Sequence, residues 1–238
     1  LENKLKFPDI KYFMEKSFLA ICTKFIETVK DKTELKISLC NKIIKLFSKR
    51  KKEYLPLFHY FRSILKFETL EFAKKEVLQD LTLALIPNNE EKFLENPVNF
   101  LQNWANNLEK HLLIYGLNYE LNYYLPPIEN YYKYAPLLTL GKYYFFSEEY
   151  YLSLQVLAIA KKSLIFAVKN IENDSLYKFH GVLIPENSIG WLLDYLELLK
   201  KISAKIPDSK NIFLNEYKWC SEFYSQYFNH HSDNHSDF

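Results

Sequence analysis

Glycine is nearly missing from this chain, at four residues in 238. It supplies the positive-φ positions of tight hairpins, phosphate-cradling loops and strand-to-helix elbows, so few such devices can be present. No P-loop, Rossmann glycine pattern, G-x-S-x-G or HExxH occurs. Cysteine is scarce too: Cys22, Cys40 and Cys220 are too few for a disulfide framework, and none forms a CxxC pair for zinc or redox work. Cys22 and Cys40 fall in apolar helical patterns, which reads as buried free thiols and, with that, a reducing cytoplasm. None of the six His follows a Glu by three residues, so the di-iron bundle motif is absent. The R-x(4–6)-H spacing of the helical HEPN ribonucleases is absent as well, since Arg50 and His59 lie nine apart. These absences weigh against an enzyme, and no cofactor or metal is expected.

Long apolar runs are also lacking. The most apolar stretch, Leu152 to Val168, is broken by Gln155, Lys161, Lys162 and Ser163, so no membrane span is expected. The opening LENKLKF is charged and has no apolar core of a signal peptide. The chain opens on Leu1 and its one methionine is Met14, which reads as a processed chain or a piece of a longer one.

What is abundant is aromatic and aliphatic: nineteen Tyr, nineteen Phe and 48% hydrophobic residues overall, enough to bury a core. The net charge of +2 conceals an uneven distribution, with +9 over residues 1–75 and −7 over residues 76–238. Such asymmetry can mark a nucleic-acid or anionic partner. Only two of the basic residues are Arg, though, and the abundance of Lys, Asn, Ile, Tyr and Phe looks like AT-rich coding bias.

The periodicity is helical nearly throughout. Pro8-Asp9 opens a first helix with Phe18, Ile21, Cys22, Phe25 and Ile26 on its apolar stripe. Thr33 is placed to N-cap a second, with Leu35, Leu39, Ile43, Leu46 and Phe47 inward, ending in the basic run Lys49-Arg50-Lys51-Lys52. Helices are expected over about 53–66, with Pro56 in the first turn, and about 69–85, stopping before Pro87. Asn96-Pro97 starts another that ends at Gly116, and a short one follows near 117–124. Then come helices over about 128–145 and 147–169, the second capped by Ser147 with Glu148 and Glu149 in its first turn. Residues 170–187 lack helical spacing. Helices at about 187–205, carrying Ile189, Leu192, Leu193, Leu196 and Leu199, and at about 209–228, capped by Asp208, complete the chain. No strand alternation is evident. The expected fold is all-α: an irregular multi-helix bundle, or a short superhelix, of about ten helices. It forms one domain over 1–228, with a subdivision near 87–96 between basic helices 1–86 and aromatic-rich helices 97–228, and a flexible tail over 229–238.

Residues 134–167 carry a pattern of small and large residues: Leu140, Gly141, Tyr144, Tyr150, Ser153, Leu157 and Ala160. Small residues at Gly141, Ser153 and Ala160 let two antiparallel helices approach closely while Tyr144, Tyr150 and Leu157 fill the gap. The stretch resembles a single tetratricopeptide (TPR) hairpin. It departs from that family at Leu137, where Trp is usual, and at Ile165, where Pro is usual, and no second copy stands at a 34-residue offset. The resemblance implies protein or peptide binding on a concave helical face.

Four further features have two readings each. Lys45, Lys49, Arg50, Lys51 and Lys52, with Lys42 a turn earlier, could meet nucleic-acid phosphates or be a solvated helix end. The tyrosines of 119–151 could line a peptide groove, with Tyr143, Tyr144, Tyr150 and Tyr151 as its candidates, or pack in the core. His180-Gly181 could be a functional loop or an ordinary turn. His230, His231, Asp233, His235 and Asp237 could bind metal weakly or simply be a soluble end. The leading expectation is a non-enzymatic, cytoplasmic helical interaction or scaffold module with a protein or peptide partner. The alternatives are nucleic-acid binding through the basic N-terminal third, and a helical-bundle enzyme or ligand carrier of unnamed substrate.

Overall fold

The computed structural model describes residues 18, 21–22, 24–26, 29, 31–48, 55–69, 74–85, 95–96, 99–100, 134–173, 185–206 and 209–227. Among them every regular element is a helix and none is a strand. Helical residues at 18, 21–22 and 24–26 precede seven helices, named here α1 (Thr33–Phe47), α2 (Leu55–Thr69), α3 (Lys74–Leu85), α4 (Tyr134–Phe146), α5 (Tyr150–Asn173), α6 (Pro185–Ser203) and α7 (Lys210–Tyr227). No helix among the described residues is long and apolar enough to cross a membrane. The chain divides into two compact units, Leu1–Pro136 and Leu137–Phe238. The expected boundary near 87–96 falls mostly outside the described residues, as do the helices expected at 97–124 and the tail at 229–238.

In the first unit α2 packs against both α1 and α3. Cys40, Ile43 and Phe47 of α1 meet a core built from Leu57, Phe58, Phe61 and Leu65 of α2 and Val77, Leu81, Ala84 and Leu85 of α3. The spacing is three and four, the mark of one buried stripe per helix. Phe58 and Phe61 stand edge-to-face with centroids 6.1 Å apart, a favourable ring geometry. Pro56 lies in the first turn of α2, where its missing N–H is harmless.

Several expected faces and boundaries are corrected. Leu35 and Leu46 are 53% and 61% exposed. At about 100° per residue they lie well off the direction shared by Cys40, Ile43 and Phe47, which sets the buried stripe of α1. Phe18 and Ile21 are likewise exposed, while Cys22 and Ile26 are buried. Thr33 is the first helical residue rather than the cap; Lys32 holds the cap position, with no side-chain bond. Its carbonyl accepts from the Lys36 N–H at 3.0 Å, after Asp31 has turned the chain at φ 57. α2 runs on to Thr69, and α3 begins at Lys74.

In the second unit α4 and α5 form a hairpin. The expected cap Ser147 does not start α5. Instead, the Glu148 N–H donates to the Phe145 carbonyl at 3.0 Å and the Glu149 N–H to the Tyr144 carbonyl at 2.9 Å. Those two bonds make a Schellman end for α4 with Glu148 at the left-handed position, φ 64. Glu149 then caps α5, its carbonyl accepting from the Ser153 N–H. A side chain in that region costs roughly 1–2 kcal/mol, and glycine does not incur the cost. Glu148→Gly is therefore expected to stabilise the unit by about 1 kcal/mol, read as a rise in the urea midpoint with unchanged slope.

The stretch expected to be irregular, 170–187, is helical at both of its described ends. α5 continues to Asn173, and α6 begins at Pro185, where proline's fixed φ suits the first helical position. Leu193 is 63% exposed, because the buried face of α6 is set by Trp191, Leu192, Tyr195, Leu198, Leu199 and Ile202. α7 packs on α6 through a face that includes Cys220 and Phe223. Its expected cap, Asp208, lies outside the described residues.

Candidate functional site

The first unit holds a buried ionic cluster centred on Asp80. This α3 side chain is 1% exposed. From α2, Arg62 grips both carboxylate oxygens, Nε to Oδ2 at 2.8 Å and Nη2 to Oδ1. This fork is the strongest form of the ion pair. His59 Nδ1 lies 2.9 Å from Oδ1, and Lys66 Nζ lies 3.1 Å from Oδ2. The outer edge is tied by Arg62 Nη1 donating to Asn41 Oδ1 at 2.6 Å and by Lys66 pairing with Glu76 at 2.9 Å. One carboxylate thus joins α2 to α3, and Arg62 extends the tie to α1.

Burial pushes the Asp80 carboxyl upward, but hydrogen bonds from His59 and Arg62 and the charges of Arg62 and Lys66 outweigh it and hold the group at about 2. An ionised carboxylate only accepts, so the His59 Nδ1 carries a proton and donates it. A carboxylate held so low is a poor base at neutral pH, so Asp80 anchors helices rather than abstracting protons. Cys40 lies within reach of the cluster's field. Burial, with smaller opposing contributions from Arg62 and Asp80, raises its thiol to about 12.

The second unit has a counterpart on α5, α6 and α7. Lys161 Nζ donates to both oxygens of Glu216, at 3.0 and 2.8 Å, and Tyr195 Oη donates to Oε2 at 3.0 Å. The ammonium also stands 4.1 Å above the centre of the Trp219 ring, where a cation is attracted to the π face. Trp191 stacks on Tyr195 at 5.1 Å, and Trp219 leans on Phe223 at 5.1 Å. Burial and then Glu216 raise the Tyr195 hydroxyl. They also raise the Cys220 thiol, to about 12. Removing the shared acceptor with Glu216→Ala strands a part-buried ammonium and a phenol, for an expected loss of about 1–3 kcal/mol. Glu216→Gln keeps an accepting oxygen and should lose less, as thermal melts of the two variants will show.

All three cysteines are free and buried. The raised Cys40 and Cys220 thiols stay protonated at neutral pH and are not poised as nucleophiles. Among the described residues no group of three or more His, Cys, Asp or Glu gathers to hold a metal ion.

Three of the residues carrying the TPR resemblance, Gly141, Ser153 and Leu157, meet where α4 crosses α5. Leu140, Tyr144, Ser153, Leu157 and Ala160 are all buried. Ser153 Oγ donates to the Gly141 carbonyl at 2.7 Å. A Cβ on Gly141 would lie 3.0 Å from Leu157 Cδ2 and 3.7 Å from Leu198 Cδ2, so α4 meets both α5 and α6 at this point. Lys142 reinforces the α4–α6 contact with a 2.6 Å pair to Asp194.

The four groove candidates are placed differently from one another. Tyr144 is buried, and its hydroxyl has no hydrogen-bond partner. Tyr143 and Tyr150 are half-buried, and Tyr151 is 71% exposed. Tyr143 packs edge-to-face on Tyr144 at 5.5 Å, and Tyr150 meets Phe145 at 5.6 Å. Of the basic candidates, Lys45 is exposed in the last turn of α1. Lys49, Arg50, Lys51 and Lys52 lie outside the described residues, as do His180, Gly181 and the histidines of the tail.

The Asp80 cluster escapes a motif search, yet a signal for it is present. His59, Arg62 and Lys66 recur at i, i+3 and i+7 within a largely apolar helix, and Glu76 and Asp80 recur at i, i+4 on the next. A polar stripe at helical spacing inside an apolar helix marks a buried network. In comparisons with known proteins, the chain matches no family model, no curated protein and no solved structure.

Proposed function

We propose that this chain is a non-enzymatic helical interaction module, with α4–α5 acting as a TPR-like hairpin that contributes a face for a protein or peptide partner. The observation that carries this reading is the crossing at Gly141, where α4 closes on α5 through Leu157 and on α6 through Leu198. Stacking of one helical hairpin on the first helix of the next is how repeat modules build extended binding faces. The titratable groups at the centres of both ionic clusters are engaged by one another rather than open to a substrate, which also favours binding over catalysis.

The test is affinity capture from native lysate with the wild-type chain and with a Tyr143→Ala, Tyr151→Ala variant, each with and without nuclease. A specific protein recovered by the wild type, resistant to nuclease and lost from a variant with an unchanged melting temperature, supports the reading. Recovery that ignores both tyrosines, or no recovery at all, counts against it.

One observation favours nucleic acid as a second reading. Lys42 and Lys45 are exposed one turn apart on α1, next in sequence to the Lys49–Lys52 run. Recovery abolished by nuclease, with affinity and salt slope reduced when Lys45, Lys49, Arg50, Lys51 and Lys52 are neutralised, would select that reading.

A further inference from the structure

The nine residues from Tyr143 to Tyr151 close α4, turn the chain and open α5, and they consist of six aromatics, one serine and two glutamates. Between Lys142 and Lys161, Glu148 and Glu149 are the only charged residues. The turn displays part of this set outward: Phe146 is 56% and Tyr151 71% exposed, and both glutamates are exposed. Neither carboxylate has an ion pair among the described residues. The cations at either end are occupied or distant. Lys142 is held by Asp194 at 2.6 Å and Lys161 by Glu216 at 2.8 Å. Lys162 is exposed on the same row of α5 as Tyr151, but it stands about 16 Å further along the helix, beyond a Debye length of about 8 Å. The turn is therefore a small field of negative charge set among aromatic rings. Glu148 points the same way. Its backbone is left-handed at φ 64, where glycine would cost less, and its exposed side chain adds no ion pair to the unit in return. A non-glycine residue held in that region is better explained by a use for its side chain than by the fold.

We propose, resting on the partner face assigned to α4–α5 above, that this turn docks an arginine-rich segment of a protein partner. The choice of occupant follows from charge and ring chemistry together. A guanidinium satisfies both parts of the surface: its plane stacks on an aromatic face such as Tyr151, and its N–H fork meets a carboxylate. Glu148 and Glu149 precede Tyr151 by three and two residues, so ring and carboxylates are offered side by side. A lysine ammonium is drawn to the same groups but has neither the stacking plane nor the fork, and it should bind more weakly. Nucleic acid and anionic lipid are repelled here, because both charges of the turn are negative. That separates this surface from the basic residues of α1. Aromatic residues facing arginine also make up many of the contacts that dominate protein interfaces.

Fluorescence anisotropy of a labelled peptide of alternating Arg and Ser, titrated with the full chain, tests it beside Lys–Ser and Glu–Ser counterparts. The Arg peptide should bind with a dissociation constant on the order of 10–100 μM at low salt, the Lys peptide about threefold more weakly, and the Glu peptide not at all. Tyr151→Leu keeps apolar bulk but removes the ring face and should weaken binding about threefold, while Tyr151→Trp should match or exceed wild type. Glu148→Gln with Glu149→Gln should weaken it about fivefold at a melting temperature close to wild type. Glu148→Gly separates binding from folding, since it should raise the urea midpoint and still lower the affinity. The proposal is overturned if the Arg peptide does not bind, if its binding ignores Tyr151 and both glutamates, or if the Glu peptide binds equally well. Should that happen while lysate capture still recovers a protein lost with Tyr143→Ala, Tyr151→Ala, only the arginine-rich partner is wrong. Failure of the capture as well would remove the partner face itself.

Discussion

Asp80→Ala is expected to destabilise the first unit by about 3–5 kcal/mol, the usual cost of removing one partner from a buried ionic cluster. The alanine itself costs little. The loss comes from what remains: Arg62 and Lys66, with side chains 18% and 12% exposed, keep their charges in a poorly solvated place without the carboxylate that joined them. His59 loses the acceptor for its Nδ1 proton. Folded domains have only about 5–15 kcal/mol of stability in total, so the milder Asp80→Asn is the companion variant that keeps the test readable where Asp80→Ala fails to fold. Asparagine keeps the shape and one accepting oxygen but not the charge, and should lose less. Urea denaturation at pH 7 reads both. Midpoints equal to wild type would mean that the cluster does not couple α2 to α3.

The same cluster predicts an acid response of known sign. The Asp80 carboxyl is held at about 2 in the fold against an ordinary value of 3.8. As pH falls, the unfolded chain therefore takes up this proton before the folded one does. The stabilisation is complete above about pH 4 and drains away between pH 4 and 2. The gap corresponds to about 2–3 kcal/mol in the wild type. Asp80→Asn has no proton to bind there, so its stability should fall less steeply across that window. The difference between the two curves isolates this carboxylate from the rest of the acidic residues.

How far the sequence reveals the structure depends on whether a feature is written locally. Helix class is local: apolar spacing of three and four runs through α1, α2, α3 and α6, and each forms. Which way a helix faces is not local. Leu46 looks as suitable for the core as Phe47, yet Leu46 is 61% exposed and Phe47 4%, because the neighbouring helix chooses the stripe. The turn at 147–149 reads as a cap because Ser and Glu favour helix starts. The preceding helix uses those residues for its own ending, with Glu148 forced to positive φ. The ionic cluster is intermediate. His59, Arg62 and Lys66 show a polar stripe in the sequence, but their shared partner lies eighteen residues beyond Arg62 and only the pairing of α2 with α3 identifies it. The contact between Gly141 and Leu157 was the most legible tertiary feature, since a lone glycine amid large residues has a steric explanation and little else.

Gly141→Leu tests that explanation directly, with an expected loss of about 1–3 kcal/mol or more from overpacking. The first added carbon already lies 3.0 Å from Leu157 Cδ2 and 3.2 Å from Leu157 Cγ. Three further carbons would have to fit between α4, α5 and Leu198 of α6. Gly141→Ala is the control of opposite tendency. It gains close to 1 kcal/mol of helix propensity and asks only that the Leu157 side chain shift by a few tenths of an ångström, so it should be near neutral. Leu157→Ala alone should cost about 2–5 kcal/mol through the cavity it leaves. The informative variant combines the two changes. Leucine at 141 can fill the space vacated at 157, so Gly141→Leu with Leu157→Ala should be less unstable than the sum of the single variants, by about 1–2 kcal/mol of coupling. Additive losses would mean that the two residues do not meet, and α4 would then lack its close approach to α5. A large coupling would establish the crossing in solution and give the hairpin a fixed geometry for its proposed partner face.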